Sequence, residues 1–273
     1  MRAIKKLCKP GANHNIVFAF EWGKLSNSPY YYIDMELCDF NLETYILRKW
    51  EPPMSLKVPH FTNFDLLKPD QKLGQILTIM KDIANGVAFI HLQQETHRDL
   101  KPRNGIRIIL NCLTSAVLYC YGTNNWKIAD YSLSAELASG RARATRFSRG
   151  TASYRAPELV LQSGDKRYFT NKVDIWAMAC LFYEVVFHQK AFSNDFAVNQ
   201  YYKSQWPFTL PFDSPEWTEH RDFLNNPSAK DFLSSLIMGM LRIVPAERPA
   251  AREVLQALNS LNYLSLLSQK ATS

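Results

Sequence analysis

The stretch His97–Asn104, HRDLKPRN, constrains this 273-residue chain more than any other part of its sequence. It sets a carboxylate, Asp99, between two cationic side chains, Arg98 and Lys101, in a polar segment that follows a long apolar one. A phosphoryl group in transfer carries dense negative charge and needs fixed cations around it. The composition of this loop is therefore suited to hold a hydroxyl group beside a metal-bound phosphate.

The overall composition is that of an ordered globular protein, with 47% hydrophobic and 21% charged residues. The net charge is +7, and one polar stretch carries Arg141, Arg143, Arg146 and Arg149. A solvated segment is the first interpretation of such a run, and binding of phosphate or an acidic partner is the second. The sequence shows no nucleic-acid-binding module.

Five scattered cysteines, with neither zinc-ligand spacing nor a signal peptide, predict reduced thiols in an intracellular, cytoplasmic protein. The apolar runs AMACLFYEVVF and IILNCLTSAVLYCY are too short or too interrupted to predict a membrane span. The oligomeric state is left open.

The order of elements predicts an α+β fold. RAIKKLC has the pattern of a helix end, and NIVFAF and YYYIDMEL have the composition of strands. Helical periodicity follows at residues 70–92, and KVDIWAMACLFYEVVF is apolar on all sides, as in a helix buried in a domain centre. SAKDFLSSLIMGML and AAREVLQALNSLNYLSLL predict amphipathic helices.

HRDLKPRN resembles the catalytic loop of eukaryotic protein kinases. The resemblance implies that Asp99 orients the substrate hydroxyl and that Asn104 holds a metal ion. A lysine two residues after the aspartate, as Lys101 is here, is typical of the kinases in this family that phosphorylate serine and threonine. The resemblance extends over residues 1 to about 265.

Three further segments match the family in the right order. IADYS resembles the D-F-G motif, which implies that Asp130 is the main Mg²⁺ ligand. Compared with that motif, Tyr131 in place of Phe is a mild change and Ser132 in place of Gly is a larger one. GTASYRAPE resembles the substrate-docking segment, which implies that Thr151 contacts Asp99 and Lys101.

The same resemblance implies structural and regulatory roles. Glu158 is expected to form a buried ion pair with Arg248, and Asp174 to brace the backbone of the catalytic loop, to which His97 and Arg98 belong. Thr145 and Ser148 are candidates for phosphorylation, with Arg98 as the counter-charge.

For the nucleotide, the resemblance implies a hinge after the second strand. Met35 would be the gatekeeper, the backbones of Glu36 and Cys38 would bind the adenine edge, and Leu118 would pack under the ring. ATP and Mg²⁺ are the implied cofactors.

The fold implied is that of a two-lobe protein kinase, with residues 1–38 a partial β lobe and residues 39–273 a complete α-helical lobe. The sequence departs from the family because it has no Gly-rich loop, no phosphate-gripping Lys and no Glu partner for that Lys. We therefore expect the chain to begin inside the helix that normally carries this Glu.

The spacing from Asn104 to Asp130 is unusually long. One interpretation makes residues 105–116 an insertion, so that the strand after the loop is VLYC and Leu118 lies under the adenine. The rival makes GIRII the strand, with Ile106 under the adenine, and treats LNCLTSAVLYCYGTNN as a long hairpin loop.

The resemblance implies transfer of the ATP γ-phosphate to serine or threonine hydroxyls of protein substrates. The alternatives are a catalytically impaired pseudokinase that binds partners as a scaffold, and an incomplete portion of an active enzyme.

Overall fold

The computed structural model describes residues 2–47, 67–102, 115–137, 141–161, 166–204 and 226–261. The helices in these ranges are α1 (Arg2–Leu7), α2 (Leu42–Ile46), α3 (Pro69–Leu92), α4 (Pro157–Val160), α5 (Lys172–Phe187), α6 (Asp195–Ser204), α7 (Pro227–Met240) and α8 (Ala251–Ser260). The strands are β1 (Ala19–Lys24), β2 (Tyr31–Met35), β3 (Phe40–Asn41), β4 (Glu95–Thr96), β5 (Val117–Cys120), β6 (Asn125–Ile128), β7 (Ala135–Glu136), β8 (Arg143–Thr145) and β9 (Arg167–Phe169).

Helix α5 is the centre of the helical part of the fold. Every residue from Val173 to Phe187 is buried, which confirms the prediction of a helix packed on all sides. The helix ends where His188 adopts a left-handed conformation (φ +54°) and donates its N–H to the carbonyl of Glu184. Helix α7 packs against α5, and α3 packs against both α5 and α8.

Helix α3 confirms the periodicity predicted for residues 70–92. Pro69 occupies its first turn, and the Gln71 side chain accepts the N–H of Lys68, so the start of the helix is capped. Among the described helices, α3 alone is long and apolar enough to span a membrane. More than half of its most apolar stretch is buried within the fold, as in a core helix.

The N-terminal region contains α1 and the antiparallel hairpin of β1 and β2. The strand predicted over NIVFAF begins only at Ala19, because Ile16 makes an isolated parallel bridge to Ile128 instead. A register shift between Ala19 and Glu21 adds an irregularity to β1. All of β2 is exposed.

A three-stranded antiparallel sheet, in the order β3–β5–β6, lies beside the candidate site. Val117 pairs with Ile128 and Cys120 with Asn125, so VLYC is a strand. The rival interpretation placed VLYC in a loop and is therefore wrong on this point. Residues 105–114 lie outside the described residues, so GIRII, Ile106 and most of the predicted insertion do too.

The sheets β4–β7 and β8–β9 each have two antiparallel strands. The last predicted helix is shorter than its sequence pattern, because α8 ends at Ser260 and residues 262–273 lie outside the described part. The arrangement confirms the predicted α+β fold.

Candidate active site

Asp99, Lys101 and Thr151 form one hydrogen-bonded group. The Lys101 ammonium donates to Asp99 Oδ2 at 2.5 Å and to Thr151 Oγ1 at 2.9 Å. Thr151 in turn donates to Asp99 Oδ1 from its hydroxyl at 2.8 Å and from its backbone N–H at 2.9 Å. Asp99 and Lys101 are 8% and 6% exposed, so little solvent screens this charge pair.

His97 connects this loop to the segment that carries Asp130. Its Nε2 lies 2.8 Å from the carbonyl oxygen of Ala129, which can only accept, so the proton is on Nε2. Nδ1 is then free to accept the N–H of Asp99, at 3.3 Å. The fully buried imidazole therefore fixes the backbone of Asp99 against the residue that precedes Asp130.

Asp174 holds the same loop from α5. Its two carboxylate oxygens accept the backbone N–H groups of His97 and Arg98, each at 2.8 Å, and His91 Nε2 lies 2.9 Å from Oδ2. Burial would raise the pKa of Asp174, but the hydrogen bond from His91 and the neighbouring donors outweigh it and lower that pKa. These bonds hold Arg98 in a left-handed conformation, with φ +71°.

Gly150 lies directly against this loop. Its φ is +95°, and a Cβ atom at this position would lie 2.7 Å from the carbonyl oxygen of Arg98. Only glycine fits such a close approach, which explains its place next to Thr151.

Asp130 lies two residues after the end of β6 and has a φ of +61°. The following Tyr131 is buried, donates its hydroxyl to the Ile128 carbonyl at 3.1 Å and packs edge-on against His97. Ser132 is not among the residues with positive φ, so the described backbone does not require glycine there. The other expected metal ligand, Asn104, lies outside the described residues.

The hinge segment follows β2. Met35 ends β2 and is 39% exposed. The Glu36 carboxylate is tied down by Lys127 Nζ at 2.7 Å and by the Phe18 N–H at 2.9 Å. Within the described residues, the backbone N–H of Cys38 has no protein acceptor.

Under this hinge lies a small apolar cluster separate from the main core, formed by Val17, Cys38, Leu118, Cys120 and Ala129. Leu118 is 4% exposed. Leu118 therefore shares one cluster with Cys38 of the hinge and with Ala129, the residue before Asp130.

Glu158 and Arg248 form a bidentate ion pair with both N–O distances at 2.8 Å. Arg248 is 1% exposed, and its other three N–H groups donate to the carbonyls of Arg242, Lys172 and Ile243. All five of its donors are therefore satisfied. The pair ties the segment after Thr151 to the start of α8.

A cavity of about 390 Å³ lies beside Arg98 of the catalytic loop. Four arginines line it, together with Thr145: Arg2, Arg98, Arg143 and Arg149. Burial, together with Arg149 and Arg143, lowers the pKa of Arg98 to about 10, and its Nε and Nη2 have no partner among the described residues. Ser148 is not among the residues that line this cavity. Its hydroxyl donates to the Leu159 carbonyl at 3.0 Å.

Sequence reasoning missed some of these contacts. The Lys127–Glu36 pair was not predicted, although the lysine directly precedes IAD, and Arg2 was not assigned to the cavity. Arg2 also bridges Glu95 and Glu136, at 2.7 and 3.0 Å. Within the described residues, no group of three or more His, Cys, Asp and Glu side chains could hold a metal ion by itself.

Comparison with known proteins identifies the family. The model of the protein kinase domain matches residues 10–258. The chain is 27% identical over 214 residues to the serine/threonine-protein kinase ppk23 of Schizosaccharomyces pombe, covering 71% of this chain and 49% of that kinase. It is 28% identical to the serine/threonine-protein kinase ICK of Rattus norvegicus and 29% to the serine/threonine-protein kinase MAK of Homo sapiens. Each of these two matches covers 212 residues, 71% of this chain and 31% of the relative.

The chain thus spans half or less of the length of these relatives. The match to the family nevertheless extends from before the hinge to within α8, and includes every described residue of the candidate site except Arg2. The chain belongs to the protein kinase family, and the relatives named above are serine/threonine-protein kinases.

Proposed function

We propose that the protein transfers the γ-phosphoryl group of ATP to serine and threonine hydroxyls of proteins, with Mg²⁺ as the metal. The hydrogen-bonded group of Asp99, Lys101 and Thr151 carries the proposal. It places a carboxylate and a cation side by side on a fixed backbone, which is what phosphoryl transfer to a hydroxyl requires. Because ATP is the donor, we also propose that the protein acts inside the cell.

The hinge supports the nucleotide end of this proposal. A free backbone N–H at Cys38 and the apolar Leu118 beneath it fit the edge and the face of an adenine ring. Glu36 would offer its backbone carbonyl, since its side chain is held by Lys127. Met35 would border the same pocket.

Asp130, with Asn104, would hold the metal ion, since hard cations prefer oxygen ligands. When bound, Mg²⁺-ATP supplies the phosphoryl group and neutralises part of its charge. The bond from His97 to the carbonyl of Ala129, the residue before Asp130, ties the backbone of that segment to the loop that carries Asp99.

The chain's own residues would act as follows. Asp99 holds the proton of the substrate hydroxyl at a carboxylate oxygen and orients the hydroxyl oxygen. Lys101 stabilises negative charge at the reacting centre. Thr151 restrains the carboxylate of Asp99 by occupying Oδ1 with two donors.

We further propose that a phosphate on Thr145 binds in the arginine-lined cavity. Thr145 lines that cavity, and Arg98 has two guanidinium nitrogens without partners among the described residues. A phosphate would provide acceptors for both. The structure favours Thr145 over Ser148, whose hydroxyl is already bonded to Leu159.

Thermal unfolding with and without Mg²⁺-ATP tests nucleotide binding. A ligand at a hundred times its Kd stabilises a protein by about 2.7 kcal/mol. We expect ATP to raise the Tm more with Mg²⁺ than without it, and Asp130→Asn to remove the Mg²⁺-dependent part. Equal Tm values with and without Mg²⁺-ATP would reject the proposal, whereas the scaffold alternative predicts them.

A further inference from the structure

The small cluster under the hinge contains two cysteines. Cys38 belongs to the hinge and Cys120 ends β5, and the two are 3% and 6% exposed. The other described cysteines, Cys8 and Cys180, lie in the main core. The chain thus brings two thiols, 82 positions apart in sequence, into one five-residue cluster.

The backbone holds these two cysteines next to each other. Directly after Cys38, the N–H of Asp39 donates to the Tyr119 carbonyl at 2.8 Å, and Phe40 pairs with Tyr119 in the sheet. The Cys120 thiol donates to the carbonyl oxygen of Leu37, the residue before Cys38, at 3.6 Å. A disulfide requires neighbouring backbones, and this arrangement supplies them, with both cysteine side chains in one cluster.

The surroundings make the two thiols unequal. A hydrogen bond from the Cys38 thiol, together with donors from Thr123 and the charge of Lys127, lowers the pKa of Cys120 to about 6 despite its burial. The same hydrogen bond, together with burial, raises the pKa of Cys38. In the steps proposed below, Cys120 acts as the attacking thiolate and Cys38 as the thiol that resolves an oxidised Cys120.

We propose that Cys38 and Cys120 form a reversible intramolecular disulfide when the protein meets a peroxide, and that this bond weakens nucleotide binding at the hinge. The second part rests on the proposed function, because it assumes that the Cys38 N–H contacts the nucleotide. The first part stands without it.

The oxidation proceeds in two steps. The Cys120 thiolate attacks one oxygen of hydrogen peroxide, the O–O bond breaks, and hydroxide leaves to become water, which yields a sulfenic acid. The Cys38 sulfur then attacks the Cys120 sulfur, the S–S bond forms, and the sulfenic oxygen leaves as a second water with the Cys38 proton. Two thiols lose two electrons to one peroxide, and a dithiol reductant returns them by exchange.

Closing this bond changes the proposed nucleotide pocket. A disulfide brings its sulfurs to about 2.0 Å, which is closer than two unbonded sulfur atoms can approach. We expect this closure to draw the hinge, with the Cys38 N–H, towards β5. Leu118, two residues before Cys120, lies in the same cluster and is displaced with it.

Peptide mapping of the whole chain tests the disulfide itself. The reduced protein is treated with hydrogen peroxide, its free thiols are blocked with iodoacetamide in denaturant, and it is digested without reductant. We expect a peptide pair joined through Cys38 and Cys120, with Cys8 and Cys180 alkylated. Cys120→Ala and Cys120→Ser should both lack the pair, and Cys180→Ala is the matched control that should keep it.

Nucleotide binding is measured in the same samples by the Mg²⁺-ATP-induced change in Tm and by titration. We expect oxidation to raise the Kd of the wild type for Mg²⁺-ATP roughly tenfold, and a dithiol to restore it. In Cys120→Ala, oxidation should change this Kd by less than about twofold. The first part of the proposal, the Cys38–Cys120 disulfide, would be overturned if both cysteines were recovered in alkylated form after oxidation. A peptide pair joined through Cys112 would overturn it as well. A disulfide with unchanged nucleotide affinity would overturn the second part. A reduced protein that binds no nucleotide contradicts the proposed function and leaves the mapping result valid.

Discussion

Thr151 directs two donors, its hydroxyl and its backbone N–H, at the same oxygen of Asp99, Oδ1. The other oxygen, Oδ2, is bonded to Lys101, which also donates to the Thr151 hydroxyl. The orientation of the Asp99 carboxylate therefore depends on a residue 52 positions later in the chain. This relation joins the loop that carries Asp99 to the segment that carries Thr151, which resembles the substrate-docking segment of the family.

Replacing Thr151 tests this relation. Thr151→Ala removes the hydroxyl and leaves Lys101 with one partner fewer, so we expect the rate of phosphate transfer to fall by roughly tenfold to a hundredfold, as for ångström-scale misplacement of a reacting group. Thr151→Ser keeps the hydroxyl and should remain within about threefold of the wild type. Initial rates of phosphate incorporation measure both. Equal rates in the Ala and Ser variants would show that the hydroxyl has no positioning role.

The ion pair of Glu158 and Arg248 predicts a loss of stability. Because Arg248 is 1% exposed, removing one partner leaves a buried charge uncompensated, which costs about 3–5 kcal/mol. We expect this decrease in the free energy of unfolding for Arg248→Ala in urea. The control is Arg252→Ala, an exposed arginine on α8, which should change stability by no more than about 0.5 kcal/mol. Similar losses in the two variants would contradict the role of the pair.

Asp174 predicts a stability that depends on pH. A carboxyl whose folded pKa lies below its unfolded value of about 3.9 stabilises the fold above that value. This stabilisation disappears as the pH falls through the folded pKa. Asp174→Asn should therefore be less stable than the wild type by about 2 kcal/mol at pH 7, and the difference should shrink as the pH falls below about 4.

Chemical denaturation across this pH range measures the effect. Asp231→Asn, an exposed site on α7, is the control and should follow the wild type at every pH. A difference between Asp174→Asn and the wild type that stays constant down to pH 2 would rule out the ionised carboxylate as its source.

The arginine-lined cavity predicts binding of inorganic anions. We expect phosphate at millimolar concentration to raise the Tm of the wild type, because it supplies acceptors to Arg98. Arg149→Ala removes one wall of the cavity and should reduce this increase by half or more. Arg141→Ala, in the same exposed stretch but outside the cavity lining, should keep it. Equal increases in the two variants would indicate a general salt effect instead.

The burial of α5 and the periodicity of α3 could be predicted because each depends on a local pattern of apolar residues. The strand VLYC was one of two interpretations, since both candidate segments are short and apolar and only pairing with β6 distinguishes them. The beginning of β1 was predicted too early because Ile16 bonds to β6 rather than continuing the strand.

Within the site, motif spacing predicted which residues would belong together but not how they make contact. His97 was assigned to the loop, yet its bond to Ala129 depends on the approach of two distant segments. The same holds for Arg2 in the arginine-lined cavity and for the thiols of Cys38 and Cys120. Such contacts are set by the packing of segments that are distant in sequence, which no local pattern records.

The most direct test of the proposed kinase activity compares the wild type with Asp99→Asn. The asparagine keeps the size of the side chain but cannot hold the hydroxyl proton as a carboxylate does. With Mg²⁺ and γ-labelled ATP, we expect the wild type to incorporate phosphate into serine and threonine of a generic protein substrate. Asp99→Asn should do so at a rate lower by roughly 10² to 10⁴, the usual contribution of a positioned acid or base. Equal incorporation by the two proteins, or none above background by the wild type, would contradict the account.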